Sequence, residues 1–443
     1  MRLRKWLAGL GLFLLSLAIL LATLVNRIDR TPLAQQDFYV RAMHQLDTLQ
    51  PAAYASTALT AAWGKVNITP TYAMPMAGYK LRPAFTTVHD SLYARFIVID
   101  NGKVEVILLS ADLLIFPPAL RTQVESRLQS AKPMFRFYSA THTHNSVGGW
   151  HAAWGAQFAV GDYNPLWIDS TANLIVTEIE KVKRNLQPAR ASYWQADAST
   201  YAANRLKEGN PYDGQLRGLR LAKADSTHAY LVTFSAHATS ISSKSTALSG
   251  DYPAALIQHI EGNTNRFALF MAGMVGSHKL SGIAESEFAA AEAAGNILAE
   301  KVLHPSKTQQ VKDATIKTMQ VPVEYGPSQM RLNKDYRLRN WIFASALNSL
   351  QGELTYLQLD NVLLIGTPCD FSGEIAVTQN LEAFARAHNK QLIITSFNGN
   401  YTGYITADVH YETTLRAEVT TMNWVGPYFG QYYTDMIQKI ILK

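Results

Sequence analysis

Five side chains in four separate segments have the types that hold a divalent metal: His142 and His144 in Thr-His-Thr-His, His237 in Ser-Ala-His-Ala-Thr-Ser, Glu374 in Phe-Ser-Gly-Glu, and Tyr411 in His-Tyr-Glu. Imidazole and oxygen donors in this number can bind a metal and leave one coordination position for water. His142 and His144 are two apart, so an extended segment points both rings to one face, whereas a loop lets them diverge. Only one of the pair need be a ligand. Taken singly, each residue also has an ordinary use. A buried histidine after a strand can be hydrogen-bonded structure, Glu374 opening a helix can cap it, and a tyrosine titrating near pH ~10 is a poor ligand until a metal lowers that value.

These segments need strands and helices to bring them together. Apolar, strand-like runs cover 94–100, 104–110, 135–140, 229–235, 267–272, 362–367 and 391–397, each bounded by Gly, Pro, Asp or Asn. Helical stretches alternate with them at 173–185, 252–261, 286–303 and 372–388. That alternation predicts an α/β fold with mixed β-sheets covered by α-helices. The ligand-bearing segments nearly all follow a strand, and the carboxyl ends of strands are where α/β folds place ligands.

The N-terminus reads Met-Arg-Leu-Arg-Lys and leads into an uncharged run from Trp6 to Val25. A helix needs about 20 such residues to cross a bilayer. No clear small-x-small cleavage site follows, so an uncleaved N-terminal transmembrane helix is expected, with its basic end in the cytoplasm and the body extracytoplasmic. The expected organisation is a signal anchor over 1–27, a helical stalk or linker over 28–60, and a catalytic domain over 61–443. The formal charge of +6 is modest and no basic run interleaved with aromatics is present, which excludes nucleic acid as the expected partner. Cys369 is the single cysteine, so no internal disulfide can form.

A series of short motifs sharpens this reading. Val66-Asn67-Ile68-Thr69-Pro70, Met76-Ala77-Gly78-Tyr79, Leu109-Ser110-Ala111-Asp112-Leu113, Thr141-His142-Thr143-His144, Asn204-Arg205, Leu248-Ser249-Gly250-Asp251-Tyr252, Gly373-Glu374, Tyr401-Thr402-Gly403-Tyr404 and His410-Tyr411-Glu412 follow one another in order. In this order they resemble the neutral/alkaline, non-lysosomal ceramidases, over about residues 60 to 430. The resemblance implies a zinc ion held by His142, His237, Glu374 and Tyr411, with His144 and Arg205 beside the substrate. It implies hydrolysis of the amide bond of ceramide or another N-acyl lipid to a fatty acid and a free amine. Zinc in such a site lowers the pKa of bound water toward ~7 and polarises the amide carbonyl, and His144 and Arg205 are suited to stabilising an oxyanion or protonating the amine.

Three segments depart from the family pattern. The family's serine column, in an Ala-Gly-x-x-Ser type loop, falls on Gly276, with Ser277 one residue displaced as the candidate nucleophile or substrate contact. Asn145 to Trp150 replaces a Ser-Gly-Pro-Gly-Gly stretch, and Trp424-Val425-Gly426-Pro427 replaces Tyr-Gly-Pro. Other readings stay open beside the amidase: a metal-dependent esterase or lactonase on the same scaffold, a membrane-anchored binding protein that has lost turnover, and a cell-surface interaction domain whose histidines are structural.

Overall fold

The computed structural model describes residues 2–79 and 82–443. Two β-sheets pack face to face, and helices cover their outer faces. The first sheet has nine strands. Its main path runs Arg266–Ala272, His228–Phe234, Gln215–Lys223, Gln187–Asp197, Thr60–Asn67, Tyr93–Asp100, Glu105–Ala111, Met134–Ala140, and Lys307–Gln310 pairs with Gln187–Asp197 off that path. The second sheet orders Ala52–Tyr54, Ile316–Pro322, Glu353–Leu359, Val362–Gly366 and Gln391–Thr395.

The alternation of strand side chains creates the layers. Ile97, Leu108, Leu231 and Leu269 point inward from the first sheet onto Leu357, Leu364 and Ile393 of the second. Their neighbours Phe96, Val98, Ile107 and Leu109 point the other way and pack under Leu120, Val124, Trp167 and Ile175, which lie on the helices Pro118–Arg127 and Pro165–Lys183. Tyr230, Val232 and Phe270 do the same under Leu256 and Leu298, from Asp251–Glu261 and Glu287–Leu303. Leu363 and Ile365 face Ile375, Tyr433 and Ile437 beyond the second sheet. The fold is the expected α/β arrangement of mixed sheets and covering helices.

Within these two sheets most pairings are antiparallel, but three are parallel: His228–Phe234 with Arg266–Ala272, Glu105–Ala111 with Met134–Ala140, and Val362–Gly366 with Gln391–Thr395. Their carboxyl ends meet at one end of the sandwich. Ser396, just beyond the last of these strands, ties them together: its N–H donates to the Ala272 carbonyl at 2.9 Å, its hydroxyl donates to the Gly273 carbonyl at 2.7 Å, and Ser139 donates to the Ser396 carbonyl at 2.9 Å. Loops leaving both sheets therefore start from fixed positions.

Residues 28–60, expected as a helical stalk, contain the helix Asp37–Thr48. That helix lies on the body, with Ala42 and Leu46 buried among Val321, Tyr432 and Ile437. Ala52–Tyr54 then joins the second sheet beside Ile316–Thr318. The polar residues of this stretch are one face of an amphipathic helix, and its apolar face is buried. The N-terminal helix runs Arg2–Leu24, and its span Arg4–Leu24 is long and apolar enough to cross a membrane.

Candidate metal centre

His142 and His237 leave the ends of parallel strands in the first sheet, and each ring is oriented by a backbone carbonyl. His142 Nδ1 is 2.7 Å from the Leu114 carbonyl, and His237 Nδ1 is 3.1 Å from the His278 carbonyl. A carbonyl only accepts, so both Nδ1 atoms carry the proton and both Nε2 atoms present a lone pair. His142 adopts φ +62°, a left-handed conformation that a non-glycine residue rarely keeps without support. Phe397 supplies support by stacking on the imidazole, ring centroids 4.3 Å apart. The ligand nitrogens of His142, His144 and His237 all lie within 4.8 Å of one another, and this buried trio could hold a metal ion.

The second sheet brings oxygen to the same point. Asp370–Phe371 and Tyr404–Ile405 form a short parallel ladder in which Asp370 and Tyr404 are partners. Asp370 Oδ1 lies 3.4 Å from His142 Nε2 and 3.5 Å from His237 Nε2. The Tyr404 hydroxyl lies 3.0 Å from His237 Nε2. Asp370 is completely buried; Oδ2 accepts from the Tyr401 hydroxyl at 2.7 Å, but Oδ1 has no hydrogen-bond partner among the described residues.

Electrostatics make this arrangement costly as it stands. Burial pushes the His142 imidazole down to about 3, although Asp370 partly opposes that, and burial drives His237 and His144 down as well. Burial also raises the Asp370 carboxyl. Two imidazole lone pairs and an orphaned carboxylate oxygen therefore face one another where protonation of the rings is disfavoured. A cation among them relieves the conflict, and N and O donors suit a borderline metal such as zinc.

His144 stands on the more open side. Its Nε2 is 3.2 Å from His142 Nε2, its Nδ1 has no partner among the described residues, and its ring leans on Tyr79 with centroids 5.0 Å apart. Arg205 follows the strand Ala202–Asn204, and its own N–H donates to the Ser277 carbonyl at 2.8 Å. Its guanidinium donates to the Tyr404 hydroxyl at 3.2 Å and pairs with Glu418 at 2.6 Å. Burial alone would lower the Arg205 pKa, yet Tyr404 and Glu418 raise it, so the charge is permanent.

The other sequence candidates sit elsewhere. Glu374 uses both oxygens within the protein: Asn204, Asn210 and His410 each reach it at 2.8 Å. Tyr411 packs with Ile28, Leu206 and Val419, under the Arg331 guanidinium at 4.2 Å from its ring centre. Burial pushes the Tyr411 phenol up to about 12. The Ser277 hydroxyl, fully buried, lies 2.9 Å from His278 Nδ1, 2.7 Å from the Ser372 hydroxyl and 3.3 Å from the Glu374 N–H. Because the Asp213 N–H donates to His278 Nε2 at 2.6 Å, His278 Nδ1 carries the proton and cannot deprotonate Ser277 in this tautomer.

Sequence reasoning passed over Asp370 and Tyr404. Asp370 lies in Pro368-Cys369-Asp370-Phe371-Ser372, in the turn directly after a strand, closer to the strand end than Glu374. Tyr404 closes the quoted Tyr-Thr-Gly-Tyr motif. Position relative to strand ends was the usable signal for both.

Residues 61–279 match the family described as neutral/alkaline non-lysosomal ceramidase, N-terminal. The fold is similar to the crystal structure of neutral ceramidase from Pseudomonas aeruginosa, with TM-score 0.74 and 17% identity over 87% of this chain and 74% of that one. It is likewise similar to a structure described as ceramidase complexed with C2, with TM-score 0.71 and 17% identity over 87% and 75% of the two chains.

Proposed function

For a chain that belongs with the neutral/alkaline non-lysosomal ceramidases, by sequence over residues 61–279 and by fold over most of its length, we propose zinc-dependent hydrolysis of the amide bond of ceramide or a related N-acyl lipid. The products are a fatty acid and a free amine. The observation that carries the reading is the orphaned Oδ1 of Asp370 facing the Nε2 lone pairs of His142 and His237.

The residues that would hold the metal are His142, His237, Asp370 and Tyr404, in place of the Glu374 and Tyr411 expected from sequence. When bound, zinc acidifies water and polarises the substrate carbonyl. The protein's own contributions are distinct. The Leu114 and His278 carbonyls hold the two imidazoles in the ligating tautomer. Arg205 places a fixed positive charge beside Tyr404, where charge develops on the carbonyl oxygen. His144, neutral and on the open side, takes a proton from water and returns one to the departing amine nitrogen. Ser277 fastens the loop after Arg266–Ala272 to the turn at Ser372 and Glu374. The N-terminal helix anchors the chain with its catalytic body on the extracytoplasmic side, so a lipid substrate stays close to its bilayer.

The test is fatty-acid release from a ceramide by the purified full chain, before chelation, after chelation, and after zinc is returned, with the matching ester run alongside. Release that is lost and then restored supports the reading. Ester cleavage without amide cleavage, or zinc-loaded protein with no turnover, overturns it.

A further inference from the structure

The end of the N-terminal helix is hydrogen-bonded into the catalytic body. The last carbonyls of a helix have no partner within it, and here the body supplies them. Arg339 Nε donates to the Ala22 carbonyl at 3.0 Å, Trp341 Nε1 donates to the Thr23 carbonyl at 3.2 Å, and the Arg339 N–H donates to the Leu24 carbonyl at 3.0 Å. The chain then continues as Val25–Arg27, paired antiparallel with Tyr336–Leu338. Ile28 N–H reaches the Asp335 carbonyl at 2.9 Å, and Arg30 pairs with Glu412 at 2.9 Å. No free linker separates the span from the body, so the anchor's direction sets the body's orientation.

Around this junction lies an apolar, aromatic surface left exposed by the described residues. Trp341, on the helix Asn340–Leu347, is 58% exposed. Trp154 and Phe158, on the helix Trp154–Val160, are 57% and 68% exposed and stack edge to face at 6.0 Å. The two helices touch closely: a Cβ at Gly155 would lie 2.7 Å from the Ala346 carbonyl oxygen. Leu332 and Tyr336, at the strand paired with Val25–Arg27, are also exposed. Large aromatics beside the end of a span are suited to the headgroup region of a bilayer.

A relay of aromatic contacts joins the same surface to the metal centre. Phe343, on the Trp341 helix, packs on Trp424 at 5.5 Å; Trp424 packs on Tyr401 at 5.3 Å; and the Tyr401 hydroxyl donates to Asp370. The Trp154 helix begins ten residues after His144.

We propose that the surface formed by Trp154, Phe158 and Trp341 docks into the lipid bilayer that holds the N-terminal helix, setting the metal centre at the membrane face. The inference rests on that helix being a membrane anchor and not on the amidase reading. Continuity with the span selects the bilayer over a protein partner as the occupant.

The test uses the full chain in phosphatidylcholine vesicles, with an environment-sensitive fluorophore on Phe158→Cys or, as control, on Glu292→Cys from the exposed face of Glu287–Leu303. Cys369 is buried and stays unlabelled. The expected result is a blue shift and strong quenching by doxyl-labelled phosphatidylcholine at position 158 and neither at 292. Equal, unquenched signals at both positions overturn the proposal. So does shielding at 158 that depends on protein-to-lipid ratio and not on the quencher, since that marks a second copy. As an activity readout, the Trp154→Glu/Phe158→Glu variant should lose about tenfold or more in turnover of vesicle-embedded substrate while keeping turnover of a water-soluble short-chain amide. Equal loss on both substrates also contradicts docking. The quenching arm reports depth whether or not the chain hydrolyses amides.

Discussion

Asp370 and Tyr404 are partners in a two-residue parallel ladder beyond the second sheet; Asp370 lies beside both the His142 and His237 imidazoles, and the Tyr404 hydroxyl reaches His237. Neither sheet alone makes the site. The nitrogens come from loops after the first sheet and the oxygens from loops after the second, and Ser396 pins the two together.

Arg205→Lys is expected to lower kcat by roughly 100-fold or more with little change in zinc content, as loss of one preorganised donor to a developing oxyanion does. Lysine keeps the charge but cannot span Tyr404 and Glu418 with one planar group. Steady-state kinetics with metal analysis of the same sample decides the point. Near-normal kcat would remove Arg205 from the chemistry.

Ser277→Ala tests the serine directly. If its hydroxyl only fastens two loops, kcat should stay within about threefold while stability falls by about 1–2 kcal/mol, the size of one lost buried hydrogen-bond partner. A variant that keeps its metal yet loses all turnover would restore Ser277 as a catalytic group.

The buried pair Asp213–Arg217, 2.8 Å apart, lies behind His278. Burial alone would raise the Asp213 carboxyl, but Arg217 overrides it and holds the pKa below the usual range. Arg217→Met leaves that carboxylate buried without its main partner, at an expected cost of about 3–5 kcal/mol. Denaturant unfolding measures it, and a change under about 1 kcal/mol would contradict this account.

Acid should destabilise the metal-free protein early. His142, His144, His237 and His278 are all held below their ordinary value by burial, His278 at about 4 and His142 at about 3. The unfolded chain binds protons on these groups below pH ~6.5 while the folded chain does not, so their stabilisation is complete above that pH and is lost as pH falls toward the folded values. Unfolding midpoints of chelated protein should drop steadily from pH 6.5 to 5. Zinc should raise the midpoint most at neutral pH, and by a shrinking increment as acid competes for the ligand nitrogens. A flat profile over that range would mean the histidines are not buried as described.

The apolar strands were legible because strands buried on both faces read as continuous aliphatic runs: 94–100, 267–272 and 362–367 correspond to Tyr93–Asp100, Arg266–Ala272 and Val362–Gly366. Gln187–Asp197 and Gln215–Lys223 were not, because arginine, glutamine and lysine interrupt them. Arg217 and Arg95 sit buried in strands through partners far off in sequence, Glu382 and Glu261. The imidazoles of the site were readable from strand-to-loop position. Glu374 is the more conspicuous carboxylate in the sequence, a glutamate after glycine at a helix start, and only the fold shows its oxygens engaged by Asn204, Asn210 and His410.

The most direct test of the account is zinc content by mass spectrometry of the purified full chain for Asp370→Asn beside Glu374→Gln, each checked for folding by circular dichroism. The account predicts about one zinc per chain in the wild type and in Glu374→Gln, and zinc lost on mild dialysis in Asp370→Asn. Retained zinc in Asp370→Asn with loss in Glu374→Gln would contradict the assignment of Asp370 as the carboxylate of the site.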